Sequence, residues 1–149
     1  MKKNIKITII ISAVLALFLA GFASAGISDW LYGESWEFME SVGGVKIDEP
    51  VRQAVGTVYL PVRCDVSGLT EITRKPTLIN SALVVTGIDN KIKENQIWIS
   101  VKTGLTTKNS TCVCPGINLG NIPSGEYEVF YYGSDRQKHS LGTAIVPMN

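Results

Sequence analysis

The residues best suited to chemistry in this sequence are three cysteines, Cys64, Cys112 and Cys114. Side chains at positions i and i+2 of an extended chain lie on the same side, so either Cys112 or Cys114 can pair with Cys64 while the other undergoes thiol exchange. An exchange centre needs a thiol whose pKa is lowered by a helix N-terminus or a neighbouring cation. Because the charged residue nearest to the pair is Lys108, the sequence favours a structural disulfide with one spare thiol. A thiol-exchange protein is the weaker alternative.

Neither the histidine nor the acidic residues form a catalytic pattern. His139 is the single histidine of the chain and lies in a polar stretch between two apolar runs, where a solvated turn residue is expected. A lone histidine without a nucleophile motif does not make a triad or a histidine-rich metal site. Glu126 and Glu128 lie on the same face of an extended segment. Their spacing is typical of the solvent-exposed surface of a sheet and not of a catalytic acid–base pair. The sequence therefore predicts no catalytic residue, no metal site and no cofactor, and the protein is expected not to be an enzyme.

The first 25 residues have the three parts of a bacterial export signal. Three lysines fall within the first six residues, and an uncharged run of 19 residues follows and ends in Ala23-Ser24-Ala25. A basic start, an apolar middle and a small-x-small end are typical of a signal peptide, which predicts cleavage after Ala25. The alternative is an uncleaved anchor, because an apolar span of about 20 residues crosses a bilayer. Small and polar residues dilute the end of the run, so we expect cleavage.

The chain that remains after cleavage has the size and charge of one small exported domain. Removing 25 of the 149 residues leaves 124, with 11 basic and 13 acidic side chains once the three lysines of the signal are gone, and thus a formal charge of −2. A nearly neutral, unclustered charge argues against nucleic acid and anionic membranes as partners. Cysteines in an exported chain are usually oxidised, and a bridge from Cys64 would close a loop of about 50 residues. The expected location is the bacterial periplasm or the cell exterior, with no membrane contact after cleavage.

Residues 26–44 differ in composition from the rest of the exported chain. They combine aromatic and acidic side chains without a basic residue, and they end in two consecutive glycines, which we interpret as a hinge. One interpretation, which we favour, is a short element that covers one end of the core. The other is a detachable arm that docks on a partner, in which case Trp30, Trp36 and Phe38 are binding residues.

The remainder of the chain, residues 45–149, has the pattern of a β-rich domain. Apolar and polar residues alternate with the period of half-buried strands at residues 58–65, 97–102 and 126–132, and a last strand is expected near residues 140–147. A further run at residues 78–86 is apolar on both faces, as in a central strand, and a turn is expected at Asp89-Asn90. Short strands with a bridging cysteine pair predict an all-β fold, a small antiparallel β-sandwich.

One segment sharpens this fold prediction. The residues from Ile122 to Tyr127, Ile-Pro-Ser-Gly-Glu-Tyr, resemble the tyrosine corner of immunoglobulin-like sandwiches. In that corner, a tyrosine at the start of the penultimate strand donates a hydrogen bond back over the preceding turn. The resemblance implies an immunoglobulin-like sandwich in which Tyr127 is a structural residue, and it carries no function with it. Antibody domains have a cysteine two places later, where this chain has Val129.

The same alternation predicts a set of outward-facing aromatic residues. If the aliphatic positions of these strands face the core, Trp98, Phe130 and Tyr132 face outward. One interpretation is cross-strand aromatic pairing, or cover supplied by residues 30–39. The other is a patch for a protein or saccharide partner. The second favours an exported, non-enzymatic binding or assembly module whose partner is another envelope or extracellular protein. The alternative is a secreted inhibitor that inserts the loop at residues 103–120 into the cleft of a hydrolase.

Overall fold

The computed structural model describes residues 33–148, which contain one short α-helix and nine β-strands. The helix is α1 (Trp36–Ser41), and the strands are β1 (Lys46–Ile47), β2 (Val51–Arg52), β3 (Val58–Leu60), β4 (Val62–Arg63), β5 (Leu83–Lys93), β6 (Gln96–Leu105), β7 (Ile117–Asn118), β8 (Gly125–Tyr132) and β9 (Lys138–Val146). This part of the chain is therefore all-β, as predicted. No helix in it is long and apolar enough to cross a membrane. The signal segment at residues 1–25 and Trp30 lie outside the described residues.

The strands form three sheets. Four strands make the largest one in the order β5-β6-β8-β9, three make a second in the order β2-β3-β7, and β1 pairs with β4. Every pairing is antiparallel except that of β6 with β8, which run parallel. The expectation of a purely antiparallel arrangement is therefore wrong at this pair. After β6 the chain leaves the large sheet to add β7 to β3, and it re-enters beside β6 in the same direction.

The core lies on one face of the large sheet. Along β6, buried residues alternate with partly exposed ones, as the period of two predicts. Strands of the second sheet supply facing side chains to the same core cluster. The most deeply buried residues of the two facing layers are Ile97, Ile99, Val101, Val129, Tyr131, Val58 and Leu60. Complete burial of one such aliphatic side chain stabilises a fold by about 1.5–3 kcal/mol, so this cluster is the main source of stability.

Helix α1 covers one end of this core. Ser35 is its N-cap, and the Ser35 hydroxyl accepts a hydrogen bond from the Phe38 N–H at 3.2 Å. The helix buries Met39 completely, and Trp36 and Phe38 are partly buried against the core cluster. A helix of six residues is not stable by itself in water, so this packing holds it in place.

The glycine pair that follows α1 is a fixed turn. Gly43 and Gly44 are buried and have φ angles of +124° and +91°, in the region that favours glycine. The Gly43 carbonyl accepts hydrogen bonds from the N–H groups of Thr73 and Arg74, and a side chain at Gly44 would overlap Thr73. These contacts restrain the pair, which differs from the hinge expected from the sequence. For residues 36–44, the packing favours the covering interpretation over the detachable arm.

Strand β5 differs from its prediction in both position and surroundings. It begins at Leu83, and Leu78 and Ile79 are 42% and 68% exposed in the loop before it. The turn expected at residues 89–90 lies inside β5, and the hairpin turns instead at Glu94, whose φ is +54°, as two-residue hairpin loops favour. Pairing with the whole length of β6 overrides the turn preference of the Asp-Asn pair. The strand lies at an edge of the large sheet, not at its centre.

Candidate functional site

The outer face of the large sheet, opposite the core, carries three aromatic rings and a lysine. Trp98 on β6 and Phe130 on β8 are neighbours in the parallel ladder, and their ring centroids are 5.7 Å apart with planes at 45°. Tyr132 lies two residues further along β8, with its ring edge-on to Trp98 at 5.6 Å. Lys138 is the cross-strand partner of Tyr132 on β9. We name these four residues the outer-face cluster.

The lysine of this cluster lies over the aromatic rings. Its Nζ atom is 3.6 Å from the centroid of the Phe130 ring and 5.3 Å from the centroid of the Trp98 ring. Both distances allow a cation–π interaction, which contributes about 0.5–2 kcal/mol. Phe130 is only 8% exposed, whereas Trp98 and Tyr132 are half-buried. Trp98, at the centre of the cluster, is therefore more accessible to a partner than Phe130.

Charged side chains border the cluster on the same face. Lys91 on β5 is the cross-strand partner of Trp98, and beside it the Lys102 Nζ forms an ion pair with the Asp89 carboxylate at 2.5 Å. Two residues before Phe130 on β8, Glu128 gives the opposite end of the face an acidic side chain. Protein–protein interfaces commonly have aromatic residues at their centre and a polar, solvent-accessible rim, and this face has both.

A second group of side chains joins α1 to the end of the large sheet. The Trp36 indole stacks on the His139 imidazole, with centroids 4.9 Å apart and planes 13° apart. The His139 Nε2 atom lies 2.8 Å from the Asp135 Oδ2 atom, and the Tyr131 hydroxyl donates a hydrogen bond to the Glu34 carbonyl at 2.8 Å. These contacts fix the start of α1 against β8 and β9.

The predicted partner-binding residues thus fall into separate places. The three outward aromatic residues expected from the strands lie together in the outer-face cluster, whereas Trp36 and Phe38 pack against the core side of the molecule. Trp30 is outside the described residues. His139 is part of β9, and its side chain is 22% exposed and stacked, so its interpretation as a solvated turn residue is wrong. The stacking on Trp36 joins residues far apart in sequence, which no local pattern indicates.

Burial and hydrogen bonding shift two acidities in this second group. Burial raises the pKa of the Tyr131 phenol well above its usual value. Burial alone would also raise the pKa of Asp135, but hydrogen bonds from the Gln137 N–H and the His139 ring stabilise the carboxylate more strongly. The net pKa of Asp135 is therefore below its usual value of 3.8.

The lowered pKa of Asp135 predicts that its contacts are sensitive to acid. The contacts of the charged Asp135 carboxylate contribute their full stability when the pH is above the pKa that Asp135 has in the unfolded chain. This stability is lost as the pH falls through the lower pKa that Asp135 has in the folded chain. We expect the free energy of unfolding of the wild type to decline below about pH 4, and Asp135→Asn to remove part of that decline. Urea unfolding of both proteins over a pH series measures this difference. The same pH dependence in both would contradict the assignment.

The three cysteines lie together next to β4. Cys64 and Cys114 form a disulfide with Cα atoms 5.1 Å apart, and Cys112 keeps a half-buried thiol. The pairing that the sequence left open therefore uses Cys114, and the Cys114 N–H also donates a hydrogen bond to the Cys64 carbonyl at 3.0 Å. The Cys112 Sγ atom lies 3.5 Å from the Leu83 carbonyl oxygen. The bridge staples the segment after β4 to the segment before β7.

Two lysines of the outer face were not predicted as site residues. Lys91 lies opposite Trp98 because the hairpin between β5 and β6 turns at Glu94. If the turn had been placed at Glu94 from the sequence, the pairing of Lys91 with Trp98 would have followed from the register of the hairpin. Lys138 lies opposite Tyr132 because of the register that the loop at residues 133–137 imposes on β8 and β9. Both positions follow from cross-strand register, which a sequence pattern along one strand does not contain.

No protein-family model, curated protein or solved structure matches this chain. Within residues 33–148, no three histidine, cysteine or carboxylate side chains converge on a point that could bind a metal. The outer-face cluster is the candidate functional site, because it brings together aromatic and charged side chains on the side of the large sheet away from the core.

Proposed function

We propose that this protein is an exported, non-enzymatic binding or assembly module of a bacterial cell envelope or surface. The partner is another envelope or extracellular protein, and it contacts the outer-face cluster. One observation carries the proposal: half-buried Trp98 lies at the centre of the outer sheet face, next to Phe130 and Tyr132 and between the lysines at 91 and 138.

The composition of this face suits a protein partner. Tryptophan and tyrosine are enriched among the residues that dominate the binding energy of protein interfaces. On this face, charged side chains lie around the tryptophan and the tyrosine. A desolvated tryptophan of this kind contributes about 2 kcal/mol or more to binding. Lys91 and Lys138 border the rings on two sides, so they favour a partner with acidic groups.

The compartment that we propose is the bacterial periplasm or the cell exterior. The disulfide between Cys64 and Cys114 supports it, since such bonds form and persist in oxidising compartments. The sequence of residues 1–25 supplies the export signal that this location requires.

The finer fold that we propose is an immunoglobulin-like sandwich, with the large sheet as one layer and the two small sheets as the other. Tyr127 supports it, because its hydroxyl donates a hydrogen bond to the Pro123 carbonyl at 3.1 Å, four residues back over the turn. The parallel pairing of β6 with β8 departs from the antiparallel order of that sandwich.

Tyr127→Phe is expected to lower the free energy of unfolding by about 1–3 kcal/mol, because it leaves the Pro123 carbonyl without its donor. Tyr127 is 6% exposed, so the ring itself stays packed in the variant and only the hydrogen bond is removed. Urea unfolding measures the change. An unchanged midpoint would argue against the tyrosine corner and against the immunoglobulin-like sandwich.

A photo-reactive aromatic amino acid in place of Trp98 tests the function in the bacterium that makes the protein. We expect a cross-linked product with another envelope protein, and no such product from the same amino acid at Val55, which is 82% exposed in a different loop. Trp98→Ala should then weaken binding of the purified partner about 30-fold, which corresponds to about 2 kcal/mol. The control is Trp98→Phe, which keeps an aromatic ring. Equal products from both positions, or a glycan in place of a protein, would overturn the proposal.

The second candidate, a secreted inhibitor of a hydrolase, is favoured by the loop between β6 and β7. The Ser110 hydroxyl accepts a hydrogen bond from the Thr107 N–H at 2.6 Å and donates one to the Thr107 carbonyl at 2.7 Å, which fixes the tip of the loop. The disulfide at Cys114 holds its base. A rigid loop loses little entropy on entering a cleft. If this function is correct, a photo-reactive residue at Lys108, and not at position 98, should cross-link to a hydrolase.

A further inference from the structure

The edge strand β5 has one row of backbone groups with no partner in the described chain. β5 ends the large sheet, and β6 is its only strand partner within residues 33–148. At the start of β5 the Val85 N–H donates a hydrogen bond to the Thr111 carbonyl at 2.9 Å, and a bulge at Thr86 then interrupts the ladder. Residues 87–93 follow this bulge with an open edge.

The hairpin register shows which residues direct their backbone groups to that edge. Two residues form the turn between Lys93 and Gln96, and in such a hairpin the closing pair exchanges hydrogen bonds. Alternate pairs along the antiparallel ladder do the same, so Lys91 and Asp89 also bond to β6. The residues between them therefore direct their N–H and C=O groups to the open edge, namely Ile88, Asn90 and Ile92.

The sequence along this edge is complementary to its own reverse. From residue 88 to residue 92 it reads Ile-Asp-Asn-Lys-Ile, with an acid and a base at equal distances from Asn90. The two isoleucines are partly buried against the core, whereas Asp89 and Lys91 are exposed on the outer face. A two-fold axis at Asn90 would place isoleucine opposite isoleucine and acid opposite base.

We propose that two copies of this chain pair through their β5 edges, antiparallel and centred on Asn90. In this dimer Asn90 pairs with Asn90 of the second copy and Ile88 pairs with Ile92, and these pairs exchange about six backbone hydrogen bonds. Asp89 faces Lys91 in the closer, non-hydrogen-bonded positions, where Cα atoms are about 4.5 Å apart. The Asp89 carboxylate has two oxygens, so it bonds both Lys102 of its own chain and Lys91 of the other.

The charges select this register over others. Lysines on an edge strand oppose pairing with most other strands, because they place an uncompensated charge against the neighbour. Within residues 33–148, Lys91 takes part in no ion pair, so it is available to a second chain. Lys93 lies opposite Gly87 of the second copy, and Gly87 has no side chain that could repel the charge of Lys93. A shift by two residues in one direction would place Lys91 opposite Lys91, with Asp89 opposite Lys93, and a shift in the other direction would place Asp89 opposite Asp89.

The dimer would present two outer-face clusters to the proposed partner in place of one. It joins two four-stranded sheets into one continuous sheet, with both outer-face clusters on the same side. The two Trp98 residues are then three inter-strand spacings apart across the sheet and two residues apart along it, which is about 16 Å in all. A partner that binds both clusters gains avidity. The pairing itself does not depend on that partner, because β5 supplies all of its contacts.

Charge reversal tests this pairing in the full exported chain. Lys91→Asp places acid opposite acid at both contacts, and Asp89→Lys places base opposite base. Each variant alone should weaken dimerisation about 10- to 100-fold in sedimentation equilibrium. An equimolar mixture of the two should form heterodimers, because every acid again faces a base. Dimerisation that neither variant changes, or a mixture that does not associate, would overturn the proposal.

A cysteine at the symmetry axis gives an independent measurement. In a Cys112→Ala background, Asn90→Cys should form a disulfide between copies, since hydrogen-bonded antiparallel pairs have Cα atoms about 5.5 Å apart, within disulfide range. Lys108→Cys, in an exposed loop, is the matched control and should form no disulfide between copies. A wild type that sediments as a monomer at every concentration overturns the dimer. If the protein is a monomer but the photo-reactive residue at position 98 still cross-links to an envelope protein, the dimer is overturned and the proposed function stands. If the protein is a dimer but captures no partner, the proposed function is overturned and the dimer stands.

Discussion

Replacing both Cys64 and Cys114 by alanine is expected to lower the free energy of unfolding by about 4 kcal/mol. The two cysteines are 50 residues apart in sequence, and a bridge of that length removes much of the conformational entropy of the unfolded chain. Cys64 is also 1% exposed, so its replacement leaves unfilled space in the core. Urea unfolding without reductant measures the change, and a reductant should remove most of the difference between the wild type and the variant.

Cys112→Ala is the matched control for this prediction. Its thiol is half-buried and outside the bridge, so we expect its replacement to change the free energy of unfolding by less than about 1 kcal/mol. A loss as large as that of the double replacement would mean that Cys112 forms the bridge and that Cys114 is the spare thiol. A double variant as stable as the wild type would contradict the role of the disulfide as a staple.

Strand β6 could be predicted from the sequence, and strand β5 could not. Ile97, Ile99 and Val101 are buried because one face of β6 packs on the core, and this requirement produces a period of two in the sequence. The apolar run at residues 78–86 has no such period, so its length and composition alone indicated a central strand. Where β5 begins is decided by its pairing with β6, and this pairing leaves residues 78 and 79 in an exposed loop.

The candidate site was predictable in its aromatic residues and not in their neighbours. Trp98 was expected to face outward because it alternates with buried positions on its own strand. The placement of Lys138 over Phe130 depends on the register between β8 and β9, and the stacking of Trp36 on His139 depends on where α1 packs. Both contacts join separate elements, so the burial pattern within one element does not encode them.

Met39→Ala is expected to lower the free energy of unfolding by about 2–5 kcal/mol, because it removes the one completely buried side chain of α1. The matched control is Glu37→Gln on the same helix. Glu37 is exposed, so the control should change the free energy of unfolding by no more than about 0.5 kcal/mol. Urea unfolding of the three proteins gives both values. If α1 were part of a detachable arm, neither substitution would change the midpoint.

Limited proteolysis separates the two interpretations of this segment in a second way. If α1 covers the core, peptide bonds within residues 36–44 should be cleaved only when the whole domain unfolds, because Met39 and the hydrogen-bonded Gly43 hold them in place. Met39→Ala should then make this segment the first to be cleaved, while Glu37→Gln should leave it resistant. Early cleavage in the wild type, with the rest of the domain intact, would overturn the covering interpretation. Trp36 and Phe38 would then become the partner-binding residues to test, because their packing against the core would be too weak to hold the segment.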